Sequence, residues 1–261
     1  MNDTEEALSI QGGLGRLNLL HGVFDLLLAG TETSSTTISW SLLYLAKYPD
    51  IQMKLYREIK SAFGITLPGK PKVFSSFSSE FPSLQEYSER FQCPYAEAFI
   101  HEVQRKGDIV PMSLSHKATR DFVIPCPKTG REYRIPKGTQ VIPFISSALK
   151  DKDHFSDPET FRPERFIDQD GKFVPDPMVN TIILLKFLKS CQLPIFQVIP
   201  FGIGKRKCLG ETLARMTLFH FMTGIVQRFR ITPAPGESLS EKPMQGLTAT
   251  TAPFKIILTP R

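Results

Sequence analysis

The sequence feature that most constrains this chain is a cysteine in a glycine-rich, basic stretch, residues 201–210, which read FGIGKRKCLG. No second Cys or His lies two to four positions from Cys208, so the spacing of a zinc site is absent. Three glycines leave room for a flat ligand, because they project no side chain: Gly202, Gly204 and Gly210. The stretch therefore predicts either a thiolate ligand for a haem iron or a structural cysteine beside a glycine-rich turn.

The residues around Cys208 favour the negatively charged form of its sulfur. Lys and Arg side chains flank it, and Arg206 is suited to pair with a carboxylate such as a haem propionate. A helical pattern follows from Leu209 (LGETLARMTLFHFMTGIVQRF), which predicts that Cys208 lies at a helix N-terminus. The helix dipole and free N–H groups there would stabilise a thiolate.

Composition and charge indicate an ordinary folded protein. The chain has 261 residues, 41% hydrophobic and 22% charged, enough for one or two domains with a sizeable core. The net charge of +6 is spread along the chain, which suits an acidic partner, an anionic membrane surface or simply a solvated face. The four cysteines are scattered, so we expect no disulfide framework and a reducing compartment. The acidic N-terminus is unlike a signal peptide, and no apolar run is long enough to cross a membrane.

A long helix is predicted from about Leu14 to Tyr48, followed by a second helix from the Pro49 break to about Phe63. Inside the first helix, residues 29–35 (AGTETSS) have poor helix propensity. Glycine invites a kink there, and the Thr33 hydroxyl can bond the carbonyl four residues back, that of Ala29. The segment is either a locally opened helix that presents a hydroxyl and a carboxylate, or a site of close helix packing.

Later segments predict a third helix and several short strands. Pro94 opens the helix PYAEAFIHEVQRKGD, in which Glu102 and Arg105 share a face and can form an ion pair. Alternating or β-branched runs predict strands in IVPMSLSHKATRD, ATRDFVIP, REYRIP and GTQVIPFI, and near the C-terminus in the last residues of GLTATTAPFKIILT.

Residues 201–210 match the Phe-x-x-Gly-x-Arg-x-Cys-x-Gly signature of the cytochrome P450 monooxygenases at every fixed position. The chain thus resembles that family, and the resemblance implies a mainly α fold with a small β region, the C-terminal half of the cytochrome P450 fold. It implies heme b as cofactor, with Cys208 as axial thiolate and the only metal ligand. The implied cofactor-binding residues also include His116, as a propionate donor, together with Phe201, Gly202, Gly204, Arg206 and Gly210.

The segment AGTETSS resembles the oxygen-activation motif of this family. The resemblance implies that Glu32 and Thr33 are catalytic and relay protons to dioxygen. It also implies a substrate pocket formed by apolar residues and one threonine: Phe24, Leu28, Ala29, Val110, Met112, Leu114, Leu247 and Thr248.

The spacing of Glu102 and Arg105 is similar to the family's Glu-x-x-Arg motif, and the implied third partner is Arg165 in FRPERF. The resemblance makes these three residues a buried structural triad behind the haem, which serves fold integrity and haem retention. They are expected to take no part in the chemistry.

The resemblance covers nearly the whole chain and is nearest to the microsomal, family-2-like enzymes, on YAEAFIHEVQR, HKATRD, IPKGT, DPETFRPERF and FGIGKRKCLGE. It implies an apolar small-molecule substrate, O2, an electron-donor reductase, and no nucleic acid. It implies the cytoplasmic face of the endoplasmic reticulum membrane, reached through an N-terminal anchor that this chain lacks. Residues 1–261 are expected to form one partial haem-thiolate domain.

Two alternatives to a monooxygenase remain open at this point. The first is a haem-thiolate enzyme that uses peroxide or isomerises its substrate, for which the Glu32 and Thr33 pair is unnecessary. The second is a truncated, non-catalytic product that cannot hold haem, which the missing N-terminal half favours.

Residues 179–197 (VNTIILLKFLKSCQLPIFQ) interrupt the family pattern just before the cysteine stretch. Excising them joins residues 174–178 to 198–201 without a gap in that pattern. The ends of the segment are compatible with an unspliced intron, and its 19 codons keep the reading frame. The rival hypothesis is a genuine insertion, such as a short amphipathic helix. We expect Cys191, inside it, to have no functional role.

Overall fold

The computed structural model of the chain describes residues 15–64, 89–126, 129–175, 198, 200–202 and 204–261. Its α-helices are α1 (Arg16–Lys47), α2 (Pro49–Phe63), α3 (Pro94–Gly107), α4 (Ile145–Leu149) and α5 (Glu211–Arg228). Short 3-10 helices lie at Glu89–Gln92, Pro163–Phe166 and Gly204–Arg206. The predicted insertion at residues 179–197 lies outside the described residues, so its status stays a prediction.

In the part of the chain that the structure describes, the strands form four separate antiparallel pairs rather than one sheet. β1 (His116–Lys117) pairs with β4 (Gln140–Val141), β2 (Phe122–Pro125) with β3 (Glu132–Ile135), β5 (Phe229–Pro233) with β8 (Ile256–Pro260), and β6 (Pro243–Met244) with β7 (Thr250–Thr251). The fold is mainly α with a small β region, which confirms the predicted fold class.

The core is built where the C-terminal half of α1 meets α2, α3 and α5. Tyr44 of α1 stacks on Phe161, with ring centroids 4.0 Å apart and an angle of 9° between the planes. Trp40 lies against the end of α3 at Gly107, where an added Cβ would be 3.2 Å from the indole ring. A larger residue at Gly107 would therefore force this helix away from α1.

A glutamine joins the second helix to the last strands. Gln52 of α2 is buried and donates from Nε2 to the carbonyls of Leu45 and Ile231, each at 2.8 Å. Its Oε1 accepts the Ile231 N–H at 2.9 Å and Arg261 Nη2 at 3.0 Å. All the polar groups of this side chain are thus satisfied, and residues almost 180 positions apart are held together.

The N-terminal half of α1 has a different environment from its C-terminal half. Its large apolar side chains are exposed: Leu17, Leu19, Leu20, Val23, Phe24, Leu26, Leu27 and Leu28. No helix of the described residues is both long and apolar enough to cross a lipid bilayer.

Some local expectations were wrong. Helix α1 continues without interruption through residues 29–35, so the alternative of a locally opened helix is not observed there. The Thr33 hydroxyl makes the predicted bond to the Ala29 carbonyl, and Thr31 makes the same bond to Leu27. Helix α5 begins at Glu211 rather than Leu209, with Gly210 as its N-cap, so Cys208 precedes the helix instead of lying at its end. The segment GTQVIPFI is a strand only at Gln140–Val141, and α4 starts at Ile145.

Candidate functional site

The backbone around Cys208 is a compact turn held by its own hydrogen bonds. The Cys208 N–H donates to the Phe201 carbonyl at 2.8 Å, which closes the loop. Gly202 and Gly204 have φ values of 71° and 79°, a left-handed conformation that favours glycine. Cys208 is a free, exposed cysteine, so its thiol is open to a ligand. A Cβ added at Gly210 would lie 3.9 Å from the Cys208 Sγ, so this glycine leaves space beside the sulfur.

Charged side chains tie this turn to the start of α5. Glu211 accepts hydrogen bonds from Arg215 Nε at 3.0 Å and from Lys207 Nζ at 3.4 Å. The Arg215 guanidinium also lies over the Phe201 ring, 5.0 Å from its centroid. Arg206 is exposed and therefore accessible to an anionic group of a ligand.

The predicted relay residues lie on one stretch of α1. The Thr33 hydroxyl donates to the Ala29 carbonyl at 2.7 Å, the contact expected from the sequence. Glu32 is exposed, and its Oε1 accepts a hydrogen bond from the Thr248 hydroxyl at 3.0 Å. Within the described residues, no hydrogen bond joins Cys208 to either Glu32 or Thr33.

The triad residues are in direct contact and buried. Glu102 Oε2 accepts from Arg105 Nε at 2.7 Å, and Glu102 Oε1 accepts from Arg105 Nη2 at 2.9 Å and Arg165 Nε at 3.1 Å. The side chains of Glu102 and Arg105 have no exposed surface, and that of Arg165 is 3% exposed. Burial lowers the pKa of the Arg165 guanidinium, an effect that the charge of Glu102 opposes.

The triad also connects α3 to the segment between α4 and the second 3-10 helix. Arg105 donates from Nη1 to the Leu149 carbonyl and from Nη2 to the Pro158 carbonyl, both at 2.9 Å. The Arg162 N–H donates to Glu102 Oε1 at 2.8 Å. The carboxylate and guanidinium are therefore satisfied by several elements at once.

The partly buried Glu58 and the buried His101 support α3. The Glu58 carboxylate of α2 accepts the N–H groups of Tyr95 and Ala96, each at 2.8 Å, and so caps the N-terminus of α3 from another helix. Burial raises the pKa of Glu58, and these two hydrogen bonds oppose the shift.

His101 of α3 lies edge-on to the rings of Phe166 and Phe173. Burial lowers the pKa of His101 to about 3, and the charge of Arg215 adds a smaller effect in the same direction.

The residues predicted to line a substrate pocket are mostly exposed. The exposed fraction is 64% for Phe24, 63% for Leu28, 75% for Leu114 and 88% for Leu247. Ala29 and Met112 are also exposed, while Val110 and Thr248 are partly buried. His116, the predicted propionate donor, is exposed on β1 opposite Val141. The structure thus brings together the triad and the pair Glu32–Thr248, whereas these apolar side chains face outward.

The sequence did not point to Ser39 and Trp40, which hold the C-terminal segment against α1. Trp40 Nε1 donates to the Ala249 carbonyl at 2.9 Å, and Ser39 Oγ lies 2.8 Å from Thr251 Oγ1. The one signal available was that Trp40 is the only tryptophan of the chain. The presence of a single tryptophan does not indicate that its partner is Ala249, 209 positions away.

Comparison with known proteins supplies the family context of this site. A family model described as "Cytochrome P450" matches residues 2–258. The chain is 40% identical over 216 residues to cytochrome P450 2E1 of Oryctolagus cuniculus, covering 83% of this chain and 36% of that relative. It is 36% identical over 248 residues to cytochrome P450 2K1 of Oncorhynchus mykiss, covering 94% of this chain and 41% of that relative. The chain therefore spans well under half the length of the curated relatives it matches.

Proposed function

Because this chain belongs to the cytochrome P450 family, we propose that it acts as a haem-thiolate monooxygenase, which inserts one oxygen atom of O2 into an apolar organic substrate. The observation that carries the proposal is the Cys208 turn. Its thiol is free and exposed, in a loop whose glycines adopt left-handed conformations and whose sequence matches the family signature.

The residues present fit a haem held by one thiolate. Residues 201–210 contain one cysteine and no His, Asp or Glu, so the sulfur of Cys208 is the metal donor that this turn offers. The space beside Sγ at Gly210 and the exposed Arg206 match a flat ligand that carries carboxylates. When bound, the haem supplies the redox centre at which dioxygen is reduced.

The roles of the protein residues follow from their chemistry. Cys208 binds the iron through its thiolate and donates electron density to it. Glu32 holds and passes on protons, and Thr33 keeps the proton donor in place. The Thr33 hydroxyl gives its one hydrogen to the Ala29 carbonyl, so its oxygen remains free to accept a hydrogen bond from water.

The remaining assignments follow from the same family membership. The Glu102, Arg105 and Arg165 triad maintains the fold and haem retention, and His116 and Arg206 bind the propionates. The exposed apolar side chains Phe24, Leu28, Ala29, Met112, Leu114 and Leu247 contact the substrate, together with the partly buried Val110. Electrons come from a reductase at the endoplasmic reticulum membrane, as in the microsomal enzymes that this chain resembles.

A second candidate is that the 261-residue chain by itself does not retain haem and has no catalytic activity. The exposed leucines on the N-terminal half of α1 favour it, because a patch of this kind on a soluble monomer is unusual and marks a surface that another element covers. The two candidates predict different results for one measurement: whether the Cys208 thiolate binds the iron when haem is added to the chain.

The test is the absorption spectrum of the purified chain after addition of haem, reduction and exposure to carbon monoxide. The wild-type chain is expected to show the Soret position of a thiolate complex, and Cys208→Ser is expected to lose it. Cys126→Ser is the matched control and should retain it. A thiolate Soret band in Cys208→Ser would refute the ligand assignment. A wild-type chain that binds no haem would establish the second candidate.

A further inference from the structure

The C-terminal segment that contains β7 lies along α1 in a defined register. Trp40 Nε1 donates to the Ala249 carbonyl, and this contact is buried. Ser39 and Thr251 share a hydroxyl–hydroxyl hydrogen bond, and the Ala249 N–H donates to the Ile109 carbonyl at 2.8 Å. The segment is thus fixed on both sides of Ala249, to α1 and to the residues that follow α3.

This register places Thr248 beside Glu32, one residue before the anchored Ala249. The Thr248 hydroxyl donates to Glu32 Oε1 at 3.0 Å, across 216 positions of sequence. Thr248 is partly buried, whereas Glu32 is exposed. An exposed glutamate on a helix ordinarily samples several rotamers, and ordering it costs side-chain entropy. A hydrogen bond from an anchored backbone segment restricts that freedom.

The hydroxyl groups of Thr31, Thr33 and Ser35, which lie near Glu32 on α1, do not donate to its carboxylate. A hydroxyl has one hydrogen to donate. Thr31 donates to the Leu27 carbonyl, Thr33 to the Ala29 carbonyl, and Ser35 to the backbone carbonyl of Glu32 rather than to its carboxylate. Among the described residues, Thr248 is the side chain that donates to the Glu32 carboxylate.

We propose that Thr248 is a positioning residue for Glu32: it holds Oε1 so that Oε2 is presented in one direction as the proton-carrying oxygen. This inference rests on the proposed proton relay. It also gives Thr248 a polar role where the sequence resemblance implied only a place in the substrate pocket. Loss of the hydroxyl leaves the carboxylate in place but lets it turn into solvent, so protons reach the reaction less often and more reducing equivalents end in peroxide.

The first arm of the test needs no haem. In the 261-residue chain labelled with 13C-glutamate, Glu32→Gln identifies the Glu32 carboxyl resonance by its disappearance. That resonance is expected to shift in Thr248→Val, which replaces the hydroxyl with a methyl group of similar size, and to stay near its wild-type position in Thr248→Ser. Thr250→Val is the matched control, because its hydroxyl has no hydrogen bond in the described part of the chain. An unchanged resonance in Thr248→Val would overturn the proposal.

The second arm uses the haem-loaded chain and measures product formed per electron supplied, peroxide released and substrate affinity. Thr248→Val is expected to lower coupled product formation about tenfold, a fraction of what a positioned general acid contributes, with substrate affinity within about twofold of wild type. Thr248→Ser keeps the hydroxyl and should therefore retain the coupling of wild type. If Thr248 acted through the packing of its methyl group, Thr248→Ser would lose coupling instead.

The outcomes separate this inference from the proposed function. If Glu32→Gln uncouples the enzyme but Thr248→Val does not, the relay stands and the positioning role is wrong. If neither variant changes coupling, the relay itself is wrong, and the inference falls with it. If the wild-type chain shows no turnover, the proposed function fails, whereas the carboxyl resonance still decides whether Thr248 orders Glu32.

Discussion

Glu102 and Arg105 form a two-point ion pair with no exposed surface: Nε donates to Oε2 at 2.7 Å and Nη2 donates to Oε1 at 2.9 Å. Removal of one partner would leave the other charge buried without compensation. We expect Glu102→Ala to lower the free energy of unfolding by about 3–5 kcal/mol, measured by urea denaturation.

The matched control for Glu102→Ala is Glu159→Ala. Lys106, on the same helix as Glu102, pairs with Glu159 at 2.8 Å. The Glu159 side chain is 70% exposed. An exposed pair of this kind contributes about 0–1 kcal/mol. Equal losses in the two variants would show that burial does not set the value of the Glu102 pair.

Thr33→Ala tests the proton relay on the haem-loaded chain. Haem content and the carbon monoxide spectrum should match wild type, because no hydrogen bond joins Thr33 to Cys208 among the described residues. Product formed per electron is expected to fall about tenfold, with a matching rise in peroxide. Thr31→Ala is the control, since Thr31 makes the same bond to the carbonyl four residues back. Unchanged coupling in Thr33→Ala would reduce the segment to a packing role.

His101 is expected to make stability depend on mildly acidic pH. Burial lowers its pKa from 6.5 to about 3, so the unfolded chain binds a proton that the folded chain does not in the interval between these values. The free energy of unfolding should therefore fall as pH drops below about 6.5, by up to about 1.4 kcal/mol per pH unit from this residue.

The measurement is urea unfolding at several pH values for wild type and His101→Phe. Phenylalanine cannot be protonated and keeps an aromatic ring against Phe166 and Phe173. The variant should have a shallower pH dependence than wild type. His116→Gln, at an exposed position, serves as control and should follow wild type. Parallel curves for wild type and His101→Phe would contradict the prediction.

Residues 179–197 are proposed to be foreign to the fold, which predicts that the dominant mature transcript lacks these 19 codons. A chain that joins residue 178 directly to residue 198 should then be at least as stable as the full chain. Sequencing of the mature message is the decisive measurement. A dominant message that retains the codons would favour the rival hypothesis of a genuine insertion.

Local patterns were sufficient to predict the long helices and a possible ion pair between Glu102 and Arg105, whereas the burial of that pair and its partner Arg165 were implied only by the family resemblance. The proline at position 94 and the three-residue spacing of Glu102 and Arg105 are short-range signals, and the structure has α3 and the ion pair at those places. The position of α5 was predicted two residues early, because the Leu209–Gly210 pair forms a turn rather than the first helical positions.

Contacts between distant parts of the chain could not be predicted in the same way. The hydrogen bond from Thr248 to Glu32 depends on the register that Trp40 gives to Ala249, and no periodicity encodes such a register. Likewise, Cys93, the N-cap residue of α3, makes no capping hydrogen bond through its side chain, and the missing cap comes from Glu58 on another helix. Such partners are determined by tertiary packing.

The bridge that Gln52 makes from α2 to Ile231 and Arg261 has a consequence during protein synthesis. The ribosome produces Gln52 long before residues 229–261, so the buried amide has neither of these partners until the last strands emerge. Because β5 and β8 also pair only then, the helices made earlier cannot complete their core until residues 229–261 have been synthesised. We therefore expect these helices to expose apolar surface to chaperones in that interval.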